Sequence, residues 1–159
     1  VPIEIERKFL VKSEAWRVQA EPGQRYQQGY LWADAVRTVR VRIAGDRAFM
    51  TIKGKTEGLA RSEYEYPIPV ADAAEMLATL CVSPPIAKLR YRLPCAEGCW
   101  EIDEFLGSNA GLVVAEIELD RPDQPIDLPD WIGEEVSHDP RYRNSALADR
   151  PFSTWESTP

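Results

Sequence analysis

The stretch Ile3-Glu4-Ile5-Glu6-Arg7-Lys8-Phe9-Leu10-Val11 alternates apolar and charged side chains almost without interruption. In a strand, successive side chains point to opposite faces, so a period of two sorts them into two rows. Ile3, Ile5, Phe9 and Val11 share one row with the stem of Arg7, and Glu4, Glu6 and Lys8 share the other. The first row can bury against an apolar layer. The second sets two carboxylates and an amine in line, near enough for one divalent cation to bridge the acids. A lone strand of this kind most often has its polar face in water, so the rest of the chain has to decide.

It repeats the pattern. Strands are expected over 26–32, 36–43, 49–55, 61–68, 86–93, 100–105 and 112–119, about eight with the first, antiparallel where short turns join them. Val39, Val41 and Ile43 oppose Thr38, Arg40 and Arg42; Ala87, Leu89, Tyr91 and Leu93 oppose Lys88, Arg90 and Arg92. Tyr64, Tyr66 and Ile68 read as an apolar face. Between the two sets of strands the period changes: Ala73, Met76, Leu77 and Leu80 fall at helical spacing, with Asp72 as a cap. Ser13–Ala20 reads as a short helix and Arg141–Ala148 as a closing helix. Arg121–Asp130 reads as a connector, Trp131–Pro140 as a compact turn-rich segment, and Gly29 as a point of close approach.

The polar rows carry like charges two residues apart: Glu4 with Glu6, Arg40 with Arg42, Lys88 with Arg90, Glu116 with Glu118. On a solvated face such pairs mildly repel. They make sense with an ion of opposite sign between them. Basic pairs grip a multiply charged anion, and acidic pairs hold Mg²⁺ or Mn²⁺, which take carboxylate and phosphate oxygens together. A sheet closed on itself would provide both without exposed edges.

Composition sets the bounds. The 159 residues suit one domain, expected over 1–150, with a frayed tail over 151–159. A net charge of −7 disfavours non-specific binding to nucleic acid, which depends on cations against phosphate. No apolar run approaches a membrane span and no secretory segment opens the chain, so a cytoplasmic protein is expected. Cys81, Cys95 and Cys99 are an odd set that fits a reducing compartment. Cys95 and Cys99 lack the second pair that a zinc site needs. His138, the only histidine, sits beside Asp139-Pro140 and reads as a loop residue.

The charged motifs, taken in order, resemble the CYTH superfamily, the triphosphate tunnel metalloenzymes, and most of all its short bacterial members. The matching residues are Glu4-Ile5-Glu6-Arg7-Lys8, Gln28-Gly29-Tyr30-Leu31, Arg40 and Arg42, Lys53, Arg61-Ser62-Glu63-Tyr64-Glu65, Lys88 with Arg90-Tyr91, Glu101-Ile102-Asp103, Glu116-Ile117-Glu118, and Gly133-Glu134-Glu135-Val136 with Arg141-Tyr142-Arg143-Asn144. The resemblance implies an α+β, mainly antiparallel β fold: an eight-stranded closed tunnel with a charged interior and flanking helices. It implies hydrolysis of a triphosphate with Mg²⁺ or Mn²⁺. By position, Glu4, Glu6, Asp103, Glu116 and Glu118 become metal ligands. Arg40, Arg42, Lys53, Lys88, Arg90 and Arg143 become the phosphate clamp, and Lys8 with Tyr30 the pair that activates water. Lys55, Arg61, Glu63, Glu65, Arg92 and Glu101 line the tunnel or balance its charge.

The favoured substrate is inorganic tripolyphosphate, cleaved to pyrophosphate and phosphate. The rivals are a class IV adenylate cyclase and a thiamine triphosphatase, acting on a nucleoside or thiamine triphosphate, and beyond these a non-catalytic polyphosphate binder. No base-reading insert is visible, and a binder would not require Lys8 or Tyr30. A homodimer is the assembly carried forward.

Overall fold

Eight antiparallel strands close on themselves, and a ninth is stitched to the first. The computed structural model describes residues 2–155. Its strands are β1 (Ile3–Val11), β2 (Gln24–Ala33), β3 (Thr38–Ala44), β4 (Arg47–Lys53), β5 (Ala60–Ile68), β6 (Ile86–Cys95), β7 (Gly98–Phe105), β8 (Val113–Glu118) and β9 (Ile132–Glu135). Its α-helices are α1 (Val70–Thr79) and α2 (Asn144–Asp149). The strand order is β5-β4-β3-β2-β6-β7-β8-β1, and the pairing of β1 with β5 completes the tunnel. This is the closed eight-stranded sheet expected from the sequence.

β1 is shared three ways. Ile3, Glu4 and Ile5 pair with β5, Glu6 to Leu10 pair with β8, and Phe9 and Val11 pair with β9. The segment expected to be compact and turn-rich therefore contains β9. Gly133 permits the pairing, since a Cβ there would press to 3.1 Å from the Leu10 carbonyl oxygen.

The strands of the ring follow the period of two, so each has a polar inner face, charged on all but β2, and a largely apolar outer face. The outer faces of β2, β3 and β4 lie under α1, where Val41, Ala48, Ala73 and Leu77 are buried together. Gly29 answers to this packing: a Cβ there would meet Leu77 at 3.0 Å and Cys81 at 2.5 Å. The outer faces of β1, β6, β7 and β8 pack around Trp100, which contacts Phe9 and Trp131 edge-on at 5.7 and 5.6 Å. Removing a side chain of this size from a core costs about 3–5 kcal/mol. A third cluster (Tyr30, Ile86, Phe105, Leu112, Val114, Val136, Tyr142 and Leu147 among it) joins residues at one end of the strands to α2 and fills that end of the tunnel.

Three local expectations change. Ser13–Ala20 shortens to a single 3₁₀ turn, Ala15–Val18, that buries Trp16 and leaves Val18 in solvent. α1 starts after Pro69, without a side-chain cap from Asp72. Beyond the part of β4 and β5 that α1 covers, the outer face is open, leaving Ile52 and Tyr66 exposed. Of the tail expected to fray, Phe152 and Trp155 pack against the α2 cluster, with the Phe152 amide bonded to Asn109 at 2.8 Å; residues 156–159 lie outside the described residues. Among the described residues no helix is long and apolar enough to cross a membrane.

Candidate active site

Closure turns every charged row toward one cavity of about 320 Å³. Around its wall the rows fall into two arcs. β3 contributes Arg40 and Arg42, and β6 contributes Lys88 and Arg90; β2 stands between them and brings no charge to the wall, only Tyr26 and Tyr30, with the wholly buried Gln28 on the same row. On the other side β8 brings Glu116 and Glu118, and β1 brings Glu4, Glu6 and Lys8. β5 and β4 complete the ring with Arg61, Glu63, Glu65 and Lys53.

The basic arc is crowded with its own sign. Arg42 is pulled down to about 9 by burial and by Arg40 and Arg90. Lys88, 1% exposed, is pulled down to about 7 by burial and by Arg90 and Arg42, against the attraction of Asp103. The Arg40 Nε is buried without a partner, an unmet donor where an anion's oxygen is wanted. Tyr26 lies beside both guanidiniums, its ring 4.9 Å from Arg42 and 5.0 Å from Arg90. Cation–π contact on that ring lets the two cations stand close while separated by an aromatic spacer.

The acidic arc has the mirror problem. Glu6 and Glu118 are direct cross-strand partners, an arrangement that destabilises a sheet unless a cation intervenes. Burial, with Glu116 and Glu4 close by, pushes Glu6 up to about 8. Burial, with Glu4 and Glu101, also raises Glu118. Their neighbours are better compensated. Glu4 binds Lys53 at 2.9 and 3.1 Å, which holds it low against the penalty of burial. Glu116 faces Lys8 at 3.4 Å and is held well below its usual range despite burial.

Asp103 parts from the other expected metal ligands. It is fully buried and spent on cations: Arg90 donates to both oxygens at 2.8 and 2.9 Å, and Lys88 donates at 2.8 Å. It sits within the basic arc. Lys8 lies in the acidic arc. Its ammonium donates to the Tyr142 carbonyl at 3.0 Å, and Glu116 and Glu6 raise its pKa against the effect of burial. Tyr30 lines the cavity from the apolar end, and among the described residues no hydrogen bond joins it to Lys8. Arg143 reaches the wall from the exposed residue just before α2, and Lys53 is buried between Glu4 and Glu63. Reading the sequence assigned roles to the charged residues but none to Tyr26, Thr51 or Asn144, although Asn144 stands in the matched motif Arg141-Tyr142-Arg143-Asn144. Thr51 carries a bond from Arg40 at 3.2 Å on to Glu65 at 2.8 Å. A polar residue on an inward row was the available signal for Thr51.

The fit of a divalent cation rests on the donors. Hard cations take carboxylate oxygens, and Glu6 and Glu118, paired face to face without a compensating base, have the right chemistry. Among the described residues no three carboxylates converge into a ready coordination shell, so a cation held at this acidic edge would take its remaining ligands from substrate and water. That division is usual for Mg²⁺.

A closed antiparallel tunnel with cations along one wall and acids along the other defines a protein built to enclose a polyanion together with a metal. The chain belongs to the CYTH domain family, whose model matches residues 2–147. It is 48% identical over 153 residues to an inorganic triphosphatase of Acetivibrio thermocellus, covering 96% of this chain and 97% of that one. It is 39% identical over 151 residues to an inorganic triphosphatase of Nitrosomonas europaea, covering 91% and 96%. The crystal structure of the inorganic triphosphatase NE1496 shares the fold with a TM-score of 0.62 at 35% identity, covering 91% of this chain and 93% of that one.

Proposed function

We propose that this protein hydrolyses inorganic tripolyphosphate to pyrophosphate and phosphate with Mg²⁺ or Mn²⁺. The observation that carries the reading is the division of one enclosed cavity into a cation-rich and an acid-rich arc, each left with unsatisfied charge. The triphosphatase relatives support the same chemistry.

Arg40, Arg42, Lys88 and Arg90 bind the phosphate chain, with Lys53 and Arg143 at the margins. Buried guanidiniums aimed before the substrate arrives offset charge on the leaving phosphate without reorganising. Glu6 and Glu118 would hold the metal, flanked by Glu4 and Glu116. A cation there polarises phosphoryl oxygens when bound. Asp103 holds Lys88 and Arg90 in place and is not assigned as a ligand. Lys8 is assigned to the attacking water, with Tyr30 bordering it. Lys8 is held as an ammonium by Glu116 and Glu6, so it accepts a proton only when those carboxylates are engaged elsewhere. Water then adds to the terminal phosphorus and the phosphoanhydride bond breaks.

The test is phosphate release from tripolyphosphate, ATP and thiamine triphosphate, with Mg²⁺, Mn²⁺ or chelator, together with an assay for cyclic AMP. Metal-dependent release from tripolyphosphate, well above the other two, is expected. Cyclic AMP, or tight binding without turnover under either metal, would overturn the proposal.

A further inference from the structure

Two amides that carry no charge connect Arg42 to Lys88 and, through Asp103, to Arg90. Arg42 donates from Nε to the Gln28 Oε1 at 2.9 Å. Gln28 donates from Nε2 to the Asn144 Oδ1 at 3.1 Å. Lys88 donates to the same Asn144 oxygen at 3.0 Å, and also to Asp103, which Arg90 grips. Gln28 is wholly buried.

The chemistry of the ends fixes the direction of this chain. Arginine and lysine can only donate. The Gln28 oxygen must therefore face Arg42, which turns its NH₂ toward Asn144. The Asn144 oxygen must then face both Gln28 and Lys88. Neither amide can be flipped without setting donor against donor. The arrangement also limits what each cation has left. Lys88 has two of its three N–H groups engaged, and Arg42 keeps its terminal nitrogens for the cavity. Asn144 is the first residue of α2, so the helix that closes the tunnel also supplies the atom that aims Lys88.

We propose that Gln28 and Asn144 are positioning residues: they hold Arg42 and Lys88 in register for the phosphate chain and make the clamp complete only when α2 is seated. The inference rests on the clamp assignment above and adds to it two residues and a dependence on the closing helix.

The test is a cycle of Gln28→Met, Asn144→Ala and the double variant in the full chain. Gln28→Met is nearly isosteric and removes only the hydrogen bonds, and thermal unfolding checks that each variant is folded. Each single change should raise KM for tripolyphosphate about ten-fold, the scale of a hydrogen bond to a charged group, with kcat altered less. The double variant should be no worse than the poorer single. Amide exchange at Leu147, whose N–H bonds the Arg143 carbonyl, should quicken in Gln28→Met without ligand. Unmoved KM in both single variants, additive penalties, or unmoved exchange would each overturn the relay. Should the wild type release no phosphate from tripolyphosphate, the proposed function fails separately, and exchange at Leu147 still decides whether the relay ties α2 to β2.

Discussion

The two arcs of the tunnel solve the same problem with opposite signs and different means. In the basic arc, crowding among Arg42, Lys88 and Arg90 is relieved from within, by Asp103, by the Tyr26 ring and by the Gln28 and Asn144 amides. In the acidic arc, Glu4 and Glu116 are relieved by Lys53 and Lys8, but Glu6 and Glu118 face each other with no base between them. Cations that must receive a large, variable anion are aimed in advance. Carboxylates that receive a small ion are left short of one.

The two buried lysines give the largest expected contrast. Lys8→Ala should lower kcat by about 10³-fold, the scale of a lost general base, with a smaller change in KM. Lys88→Ala should mainly raise KM. Steady-state kinetics on tripolyphosphate separates them, and equal effects of both on kcat would erase the distinction between arcs.

Next in size is the contrast between two acids. Asp103→Ala strands Lys88 and Arg90 in the interior, and removing one partner of a buried ion pair costs about 3–5 kcal/mol. Its melting temperature should fall steeply. Glu6→Gln should do the reverse in chelator, raising the melting temperature by a few degrees, while demanding on the order of 100-fold more metal for activity, somewhat beyond the loss from an outer-shell change. A normal metal requirement in Glu6→Gln would remove Glu6 from the ligand set.

The pH dependence of that stabilisation has a definite sign. Glu6 has its pKa raised from 4.5 to about 8 on folding. Between those values the unfolded chain has released a proton that the folded chain retains, so stability declines as pH rises. The advantage of Glu6→Gln should thus be absent below pH 4.5, grow through the interval, and be complete above about 8. Thermal melts in chelator across that range check it. The smallest effect belongs to Arg92→Ala. Arg92 is half exposed, and its pair with Glu101 at 3.1 Å is screened, so KM should move by less than about two-fold.

Periodicity made much of this legible. Strands whose two rows differ so sharply reveal which residues face together, and the charged row of β1 is seen in Glu4-Ile5-Glu6-Arg7-Lys8 alone, but alternation does not say which row points inward. What periodicity could not convey is which partner each charge finds across the cavity. Asp103 and Glu116 read alike in the sequence, yet the first is buried between Lys88 and Arg90 and the second faces Lys8. The role of Asn144, though the residue stands in the matched motif, was hidden for another reason: it reaches the site from a helix that is distant in sequence from β2 and β6. β9 escaped notice because four residues including a glycine give too short an alternation to register.

The threefold sharing of β1 bears on the order in which the molecule can be made. β1 finds its partners in β5, β8 and β9, the last of them more than a hundred residues further along the chain. The β2–β3–β4–β5 meander and the β6–β7–β8 meander can form from neighbouring sequence, whereas β1 has to wait. Contacts of such long separation slow folding. Glu4, Glu6 and Lys8 therefore precede β8 and β9 by more than a hundred residues, and the acidic wall of the tunnel is left open until those partners have been made.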